Sequence, residues 1–128
     1  MYCLDTNIII DFLRDDQKIS EKIRQLHGHT FYVTAISLCE LYKGAHLSHN
    51  QHDVVVIDNF MSSCEFVDFN AISCKLFGYE HAQLKKKGRL VGDADIMIAS
   101  IVKANDLILV TRNKKDFENI SGLKIEVW

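Results

Sequence analysis

Tyr2-Cys3-Leu4-Asp5-Thr6-Asn7-Ile8-Ile9-Ile10-Asp11-Phe12-Leu13 is the stretch whose reading decides the fold. Three aromatic or apolar residues run straight into an acid, and the acid runs into a second apolar segment. Tyr2 to Leu4 reads as a short buried strand ending at Asp5. Asn7 or Thr6 reads as the cap of a helix through Ile8 to Leu13. A strand that passes directly into a helix is the unit from which a helix-covered parallel sheet is assembled.

The alternation continues downstream. Gln17 to Leu26 reads as a helix with Ile19, Ile23 and Leu26 three or four apart, broken by Gly28. Phe31 to Val33 reads as a strand, after which Thr34 or Ser37 caps a helix carrying Leu38, Leu41, Tyr42 and Ala45. Val54-Val55-Val56-Ile57 admits two readings: a buried strand, or part of a helix from about His52 to Met61. Phe66 and Val67 suggest another strand. Asn70 to Lys87 is a long helical segment with Ile72, Leu76, Tyr79, Ala82 and Leu84 as its apolar stripe, stopped by Gly88. Asp93 to Ala104 is helical with Ile96, Ala99, Ile101 and Val102 inward. Leu107 to Val110 is a buried strand, and Ile125 and Val127 form a last one. The expectation is an α/β fold of three α/β/α layers around a short-stranded, mainly parallel central sheet, with residues 1–128 as a single domain.

Composition bounds the rest. Of 128 residues, 48% are hydrophobic and 25% charged, enough apolar matter for a real core. A net charge of −2 argues against a basic nucleic-acid coat but leaves room for a local basic patch, and Lys85, Lys86, Lys87 and Arg89 form one. Cys3, Cys39, Cys64 and Cys74 make no CxxC pair and sit among apolar neighbours, so reduced, partly buried thiols are expected. Asp5 and Asp11 interrupt the N-terminal apolar run, which argues against a signal peptide. No apolar stretch approaches transmembrane length. A cytoplasmic location without membrane contact is the expectation. Proline is absent, which excludes Pro-rich linkers and recognition tracts.

In a parallel α/β sheet, ligands gather outside the carboxyl ends of the strands. Asp5 follows the first strand, Thr111 and Asn113 follow the Leu107–Val110 strand, Asp93 and Asp95 begin a helix, and Glu40 lies early in another. Each acid has an ordinary alternative. Asp5 can be an N-cap, Glu40 can be the third-position acid of a capping box with Ser37, and Asp93 or Asp95 can answer the helix dipole. Asn113 can cap the short helix leading to Phe117. Carboxylates gathered together repel one another at neutral pH, and a hard divalent cation relieves that cost. Mg²⁺ or Mn²⁺ prefers oxygen ligands, and the chemistry such a site permits is metal-assisted attack of water on a phosphodiester. Glu40 or a neighbouring carboxylate would orient or deprotonate the water. Thr6, Arg112, Lys114, Lys86 and Arg89 are the candidates for holding a phosphate backbone. His46, His49 and His52 are three apart, and a polar surface accounts for them better than a transition-metal site. No dinucleotide or P-loop glycine motif is present.

These residues carry a resemblance. Leu4-Asp5-Thr6-Asn7-Ile8, Ser37-Leu38-Cys39-Glu40-Leu41-Tyr42-Lys43-Gly44, Asp95-Ile96-Met97-Ile98-Ala99 and Leu109-Val110-Thr111-Arg112-Asn113-Lys114-Lys115-Asp116-Phe117 resemble, in order, the four motifs of PIN-domain ribonucleases. The likeness is to the VapC-type toxins of toxin–antitoxin modules, and it runs from Tyr2 to Trp128. It implies an acidic core of Asp5, Glu40 and Asp95, with Asp93 auxiliary. The family's fourth acidic position falls on Asn113, which supplies no charge, and Asp116 lies one turn onward. The resemblance further implies an Mg²⁺- or Mn²⁺-dependent endoribonuclease cutting structured RNA such as tRNA, a homodimer, and a small antitoxin that covers the active site.

Two other classes compete. A phospho-receiver domain would use Val54-Val55-Val56-Ile57-Asp58 as a strand ending in a phosphoacceptor, and requires Asp58 beside Asp5 in one cleft. A catalytically inactive PIN-like interaction domain would keep the fold without the metal.

Overall fold

The computed structural model describes residues 1–128. In chain order it contains β1 (Tyr2–Leu4), α1 (Thr6–Leu13), α2 (Gln17–Gln25), β2 (Phe31–Thr34), α3 (Ala35–Leu47), α4 (Gln51–Met61), β3 (Glu65–Val67), α5 (Ala71–Lys86), α6 (Asp93–Ala104), β4 (Ile108–Thr111), α7 (Lys114–Phe117) and β5 (Ile125–Val127). The strands form one sheet in the order β3-β2-β1-β4-β5. All four pairings are parallel, with Leu4 opposite Val110 where β1 meets β4.

Alternation along the strands divides the core. Cys3 and Leu109 point into one cluster, which α5, α6 and α7 cover with Leu84, Ile96, Ile98, Ile101, Val102 and Phe117. Their neighbours Leu4 and Val110 point into the other, which α1 to α4 cover with Ile8, Ile9, Ile19, Leu41, Ala45 and Ile57. Successive side chains of a strand face opposite ways, so apolar residues at consecutive positions require helices on both faces. The three-layer expectation is met.

The valine-rich run is helical. Asn50 caps α4 by accepting a hydrogen bond from the His52 amide at 3.0 Å, and Ile57 is buried while Val55 is exposed. One-sided burial is what a helix needs, and it outweighs the strand preference of β-branched residues. Asp58 therefore lies in the last turn of a helix, where the Tyr42 hydroxyl donates to it. It joins no cleft with Asp5, which removes the receiver reading.

Several local expectations are corrected. Asp5 caps α1, as its ordinary alternative allowed, and Thr6 and Asn7 do not. Thr34 caps α3, its hydroxyl accepting from the Ser37 amide at 3.1 Å, so the Ser37–Glu40 capping box does not form. In α5, Ile72 and Tyr79 are 63% and 59% exposed, while Ser73, Glu80 and Leu84 are buried. The buried Glu80 is reached by Lys103 of α6, which also donates to the Ser121 carbonyl at 2.7 Å. An ion pair took the place expected for Tyr79. Cys39 and Cys74 are exposed rather than partly buried. No helix is long and apolar enough to cross a membrane.

Candidate active site

The chain builds β1, β2 and β3 outward in one direction and then returns to place β4 on the other side of β1. Between β1 and β4 the connections diverge, and in parallel α/β sheets such a switch point is where the ligand crevice lies, outside the strand carboxyl ends. Asp5 and Thr111 stand there. The Asp5 amide donates to the Val110 carbonyl at 2.9 Å, which locks the end of β1 to β4.

Asp5 is only 5% exposed. Its Oδ1 accepts from the Thr6 amide at 2.8 Å, and its Oδ2 accepts from the Thr111 hydroxyl at 2.7 Å. Thr111 is itself fully buried, and its Oγ1 accepts the Asn113 amide at 3.0 Å. The hydroxyl therefore has its proton committed to Asp5. Thr6 links the second acid: its hydroxyl donates to Glu40 Oε1 at 2.8 Å, across from α1 to α3. Glu40 Oε2 takes no hydrogen bond from the protein.

Electrostatics brings in the others. Burial is the main force raising the Asp5 carboxyl above its ordinary range; the Thr111 and Thr6 bonds oppose it, and the charges of Glu40 and Asp116 add to it. The Asp95 carboxyl is pushed up to about 6, by burial first and then by the charges of Asp116, Asp5 and Glu40. The charges of Glu40 and Asp116 thus act on Asp5, and those of Asp116, Asp5 and Glu40 act on Asp95. Such mutual repulsion in a cleft is a physical mark of a functional site.

The remaining candidates fall elsewhere. Asp93 is largely exposed and faces His81, with Oδ1 3.9 Å from Nε2. Asn113 contributes its main-chain amide, and its side chain makes no capping bond to α7. Arg112 is engaged by two carboxylates, Nε with Asp11 Oδ2 at 2.9 Å and Nη2 with Asp16 Oδ2 at 3.0 Å. It ties the β4–α7 turn to α1 and to the start of α2, which leaves little of it for a phosphate. Lys114, Lys86 and Arg89 are exposed. Asp116 is the acid the motif reading left outside its core set; its place in the first turn of α7, directly after β4, is the signal that points to it.

The donor set is wholly oxygen and carries excess negative charge, the chemistry that Mg²⁺ or Mn²⁺ selects. No three acidic or other ligating side chains stand close enough to enclose an ion by themselves. An all-oxygen donor set suits a hard cation such as Mg²⁺, which keeps several waters and is held through one or two carboxylates.

Comparison with known proteins gives a consistent result. The family profile of the PIN domain matches residues 2–123. Ribonuclease VapC2 of Haemophilus influenzae is 36% identical over 129 residues, spanning 99% of this chain and 97% of its own. The tRNA(fMet)-specific endonuclease VapC of Shigella flexneri is 32% identical over 128 residues, spanning 99% and 97%. Among solved structures, VapBC2 from Rickettsia felis bound to a promoter DNA fragment superposes with a TM-score of 0.92 at 30% identity, covering 99% of this chain and 98% of that one. DNA-bound VapBC from Salmonella typhimurium superposes at 0.91 with 32% identity, covering 99% and 97%.

Proposed function

The chain belongs to the PIN-domain family and, within it, to the VapC ribonucleases, and we propose that it is a divalent-metal-dependent endoribonuclease toxin held in check by a cognate antitoxin. The observation that carries this reading is the switch point between β1 and β4, where Asp5 is buried and fixed through both oxygens, Thr6 ties it to Glu40, and the charges of Glu40 and Asp116 act on it. Asp5, Glu40 and Asp95, with Asp116 as the fourth, are the residues that would hold Mg²⁺ or Mn²⁺; Asp93 and Asn113 are peripheral to them. When bound, the ion supplies Lewis-acid charge for the phosphoryl oxygens and a more acidic water.

The protein's own residues prepare that chemistry. The Thr6 amide and the Thr111 hydroxyl keep the Asp5 carboxylate in one orientation. The Thr6 hydroxyl anchors one Glu40 oxygen and leaves Oε2 to orient or deprotonate the attacking water. Lys114, Lys86 and Arg89 supply positive charge around an acidic centre that would otherwise repel RNA. We take residues 1–128 as one catalytic unit working in the cytoplasm as a homodimer.

Structured RNA is the substrate class, and tRNA is the first to test, given the activity named for the Shigella relative. The antitoxin follows from the toxin–antitoxin complexes that this chain superposes on. A hollow of about 390 Å³, lined by Ile10, Leu13, Leu41 and Val56 together with Arg14, Glu40, His52 and Asp53, suits an amphipathic segment of such a partner.

The test is cleavage of total tRNA by the purified chain with Mg²⁺ or Mn²⁺, with EDTA, and after Asp5→Asn. Expected are discrete fragments with metal, none with EDTA, and a loss of about 100-fold or more in the variant. Full cleavage by a folded Asp5→Asn protein, or in EDTA, would overturn the mechanism. Absence of both cleavage and metal binding in the wild type would favour an inactive interaction domain.

A further inference from the structure

We propose that the hollow between the C-terminus of α5 and the N-terminus of α6 receives one unstacked nucleobase of the RNA, next to the phosphate being cut. The proposal rests on the ribonuclease reading above and adds a specificity site to it. The hollow measures about 390 Å³, within the usual range for small-molecule sites of roughly 300–1,000 Å³. Its floor is apolar: Leu84 and Ile96 are buried beneath it, and Val91 lines its side. His81 forms one wall, its ring 6.0 Å from that of Phe77. Lys85 and Arg89 stand at the mouth.

Position ties the hollow to the chemistry. Ile96 follows Asp95 directly in α6, so the floor and the third acid share one helical turn. His81 faces Asp93, two residues before Asp95. A base seated here would belong to a nucleotide flanking the reacting phosphate.

The rim is built rather than loose. Gly88 takes a positive φ of 68°, its amide donates to the Lys85 carbonyl at 3.0 Å, and the Arg89 amide donates to the Leu84 carbonyl at 2.9 Å. This paired closure ends α5 and aims the residues after it. The following residue, Leu90, lines the hollow and is fully exposed at 103%. A helix C-terminus attracts lysines by its dipole alone, but that does not account for a large apolar side chain exposed on this chain beside an apolar floor. An unstacked base needs such a surface: apolar or flat groups against its face and cations for its phosphates.

The charge pattern favours RNA over a peptide. Lys85, Lys86, Lys87 and Arg89 fall within five positions, and no acid occurs from Gln83 to Gly92. A polyanion is matched to this mouth.

The test uses the full chain carrying Asp5→Asn, so that RNA stays intact in Mg²⁺. The probes are a labelled single-stranded RNA spanning the mapped cut and the same RNA with one abasic residue at each flanking position. Leu90→Ala changes only an exposed side chain, and circular dichroism checks its fold. The expected result is about fivefold weaker binding to the intact RNA, the same loss from an abasic residue at one flanking position, and little further loss when the two are combined. Full additivity, or no effect of Leu90→Ala, would overturn the subsite while leaving the cleavage reading intact. Weakened antitoxin binding with unchanged RNA affinity would overturn it too, and reassign the hollow to a protein partner. Normal cleavage by Asp5→Asn would instead reveal failure of the ribonuclease reading itself.

Discussion

Thr111 uses one hydroxyl twice, accepting from the Asn113 amide and donating to Asp5 Oδ2. Thr111→Val keeps its shape and removes both bonds. Because the Thr111 bond opposes the burial that raises Asp5, its loss pushes that carboxyl higher still. The expected outcome is a fall in kcat of about tenfold or more, with KM little changed and the acidic limb of the pH–rate profile displaced to higher pH. Thr111→Ser should restore both. A slower enzyme with its acidic limb unmoved would reduce Thr111 to a packing role. Ser37 presents the opposite case: its Oγ is buried without a hydrogen-bond partner. Ser37→Ala removes that cost, and urea melts should show a gain of about 1 kcal/mol; a loss of stability would mean the hydroxyl is satisfied in solution. At this scale, Asp5 and Glu40 were legible because each is a carboxylate set beside apolar neighbours. Asp116 was less so, because Lys114-Lys115-Asp116 reads as a charged surface turn until its charge is felt at Asp5 and Asp95.

Among the elements, the least legible was the face of α5. Ile72, Leu76, Tyr79, Ala82 and Leu84 make an acceptable apolar stripe, yet only Leu84 of them is fully buried, and the helix turns Ser73 and Glu80 inward beside it while Ile72 and Tyr79 stay exposed. Hydrophobicity alone cannot find a face whose centre is a charge. The missing partner, Lys103, lies 23 residues away on α6. Removing one member strands the other in the interior, so Lys103→Met should cost about 3–5 kcal/mol in guanidinium melts. The double variant Glu80→Leu with Lys103→Met should recover most of that loss. If Lys103→Met is harmless, the carboxylate is hydrated rather than enclosed. The short strands were legible because consecutive apolar residues bounded by acids and glycines leave few alternatives. The Val54–Ile57 run was not, since its helix depends on the Asn50 cap and on packing supplied by distant segments.

For the molecule as a whole, the parallel sheet places its switch point at Asp5, whose charge acts on Asp95 together with those of Glu40 and Asp116, and this couples stability to pH. Asp95 titrates near 6 in the fold against an ordinary 3.8. The folded state therefore binds more protons than the unfolded state between those values. The stability associated with Asp95 is fully present below about pH 4 and is lost as pH rises through 6. Asp16 and Asp106, whose carboxyls are lowered, run the other way, so the comparison must be made by variant. In EDTA, Asp95→Asn should raise Tm relative to the wild type at pH 7.5 but not at pH 4. Mg²⁺ should stabilise the wild type more at pH 7.5 than at pH 5, because protons and metal compete for the same oxygens. An Asp95→Asn difference that is the same at both pH values would break this linkage. The near-neutral total charge conceals an acidic group around Asp5 and a basic α5 terminus. The most direct measurement is anomalous diffraction from crystals soaked in Mn²⁺. The account predicts a manganese peak in the crevice, on carboxylate oxygens of Asp5 and its neighbours Glu40, Asp95 or Asp116. A peak confined to His46, His49 and His52, with the crevice holding only water in an RNA-cleaving protein, would contradict it.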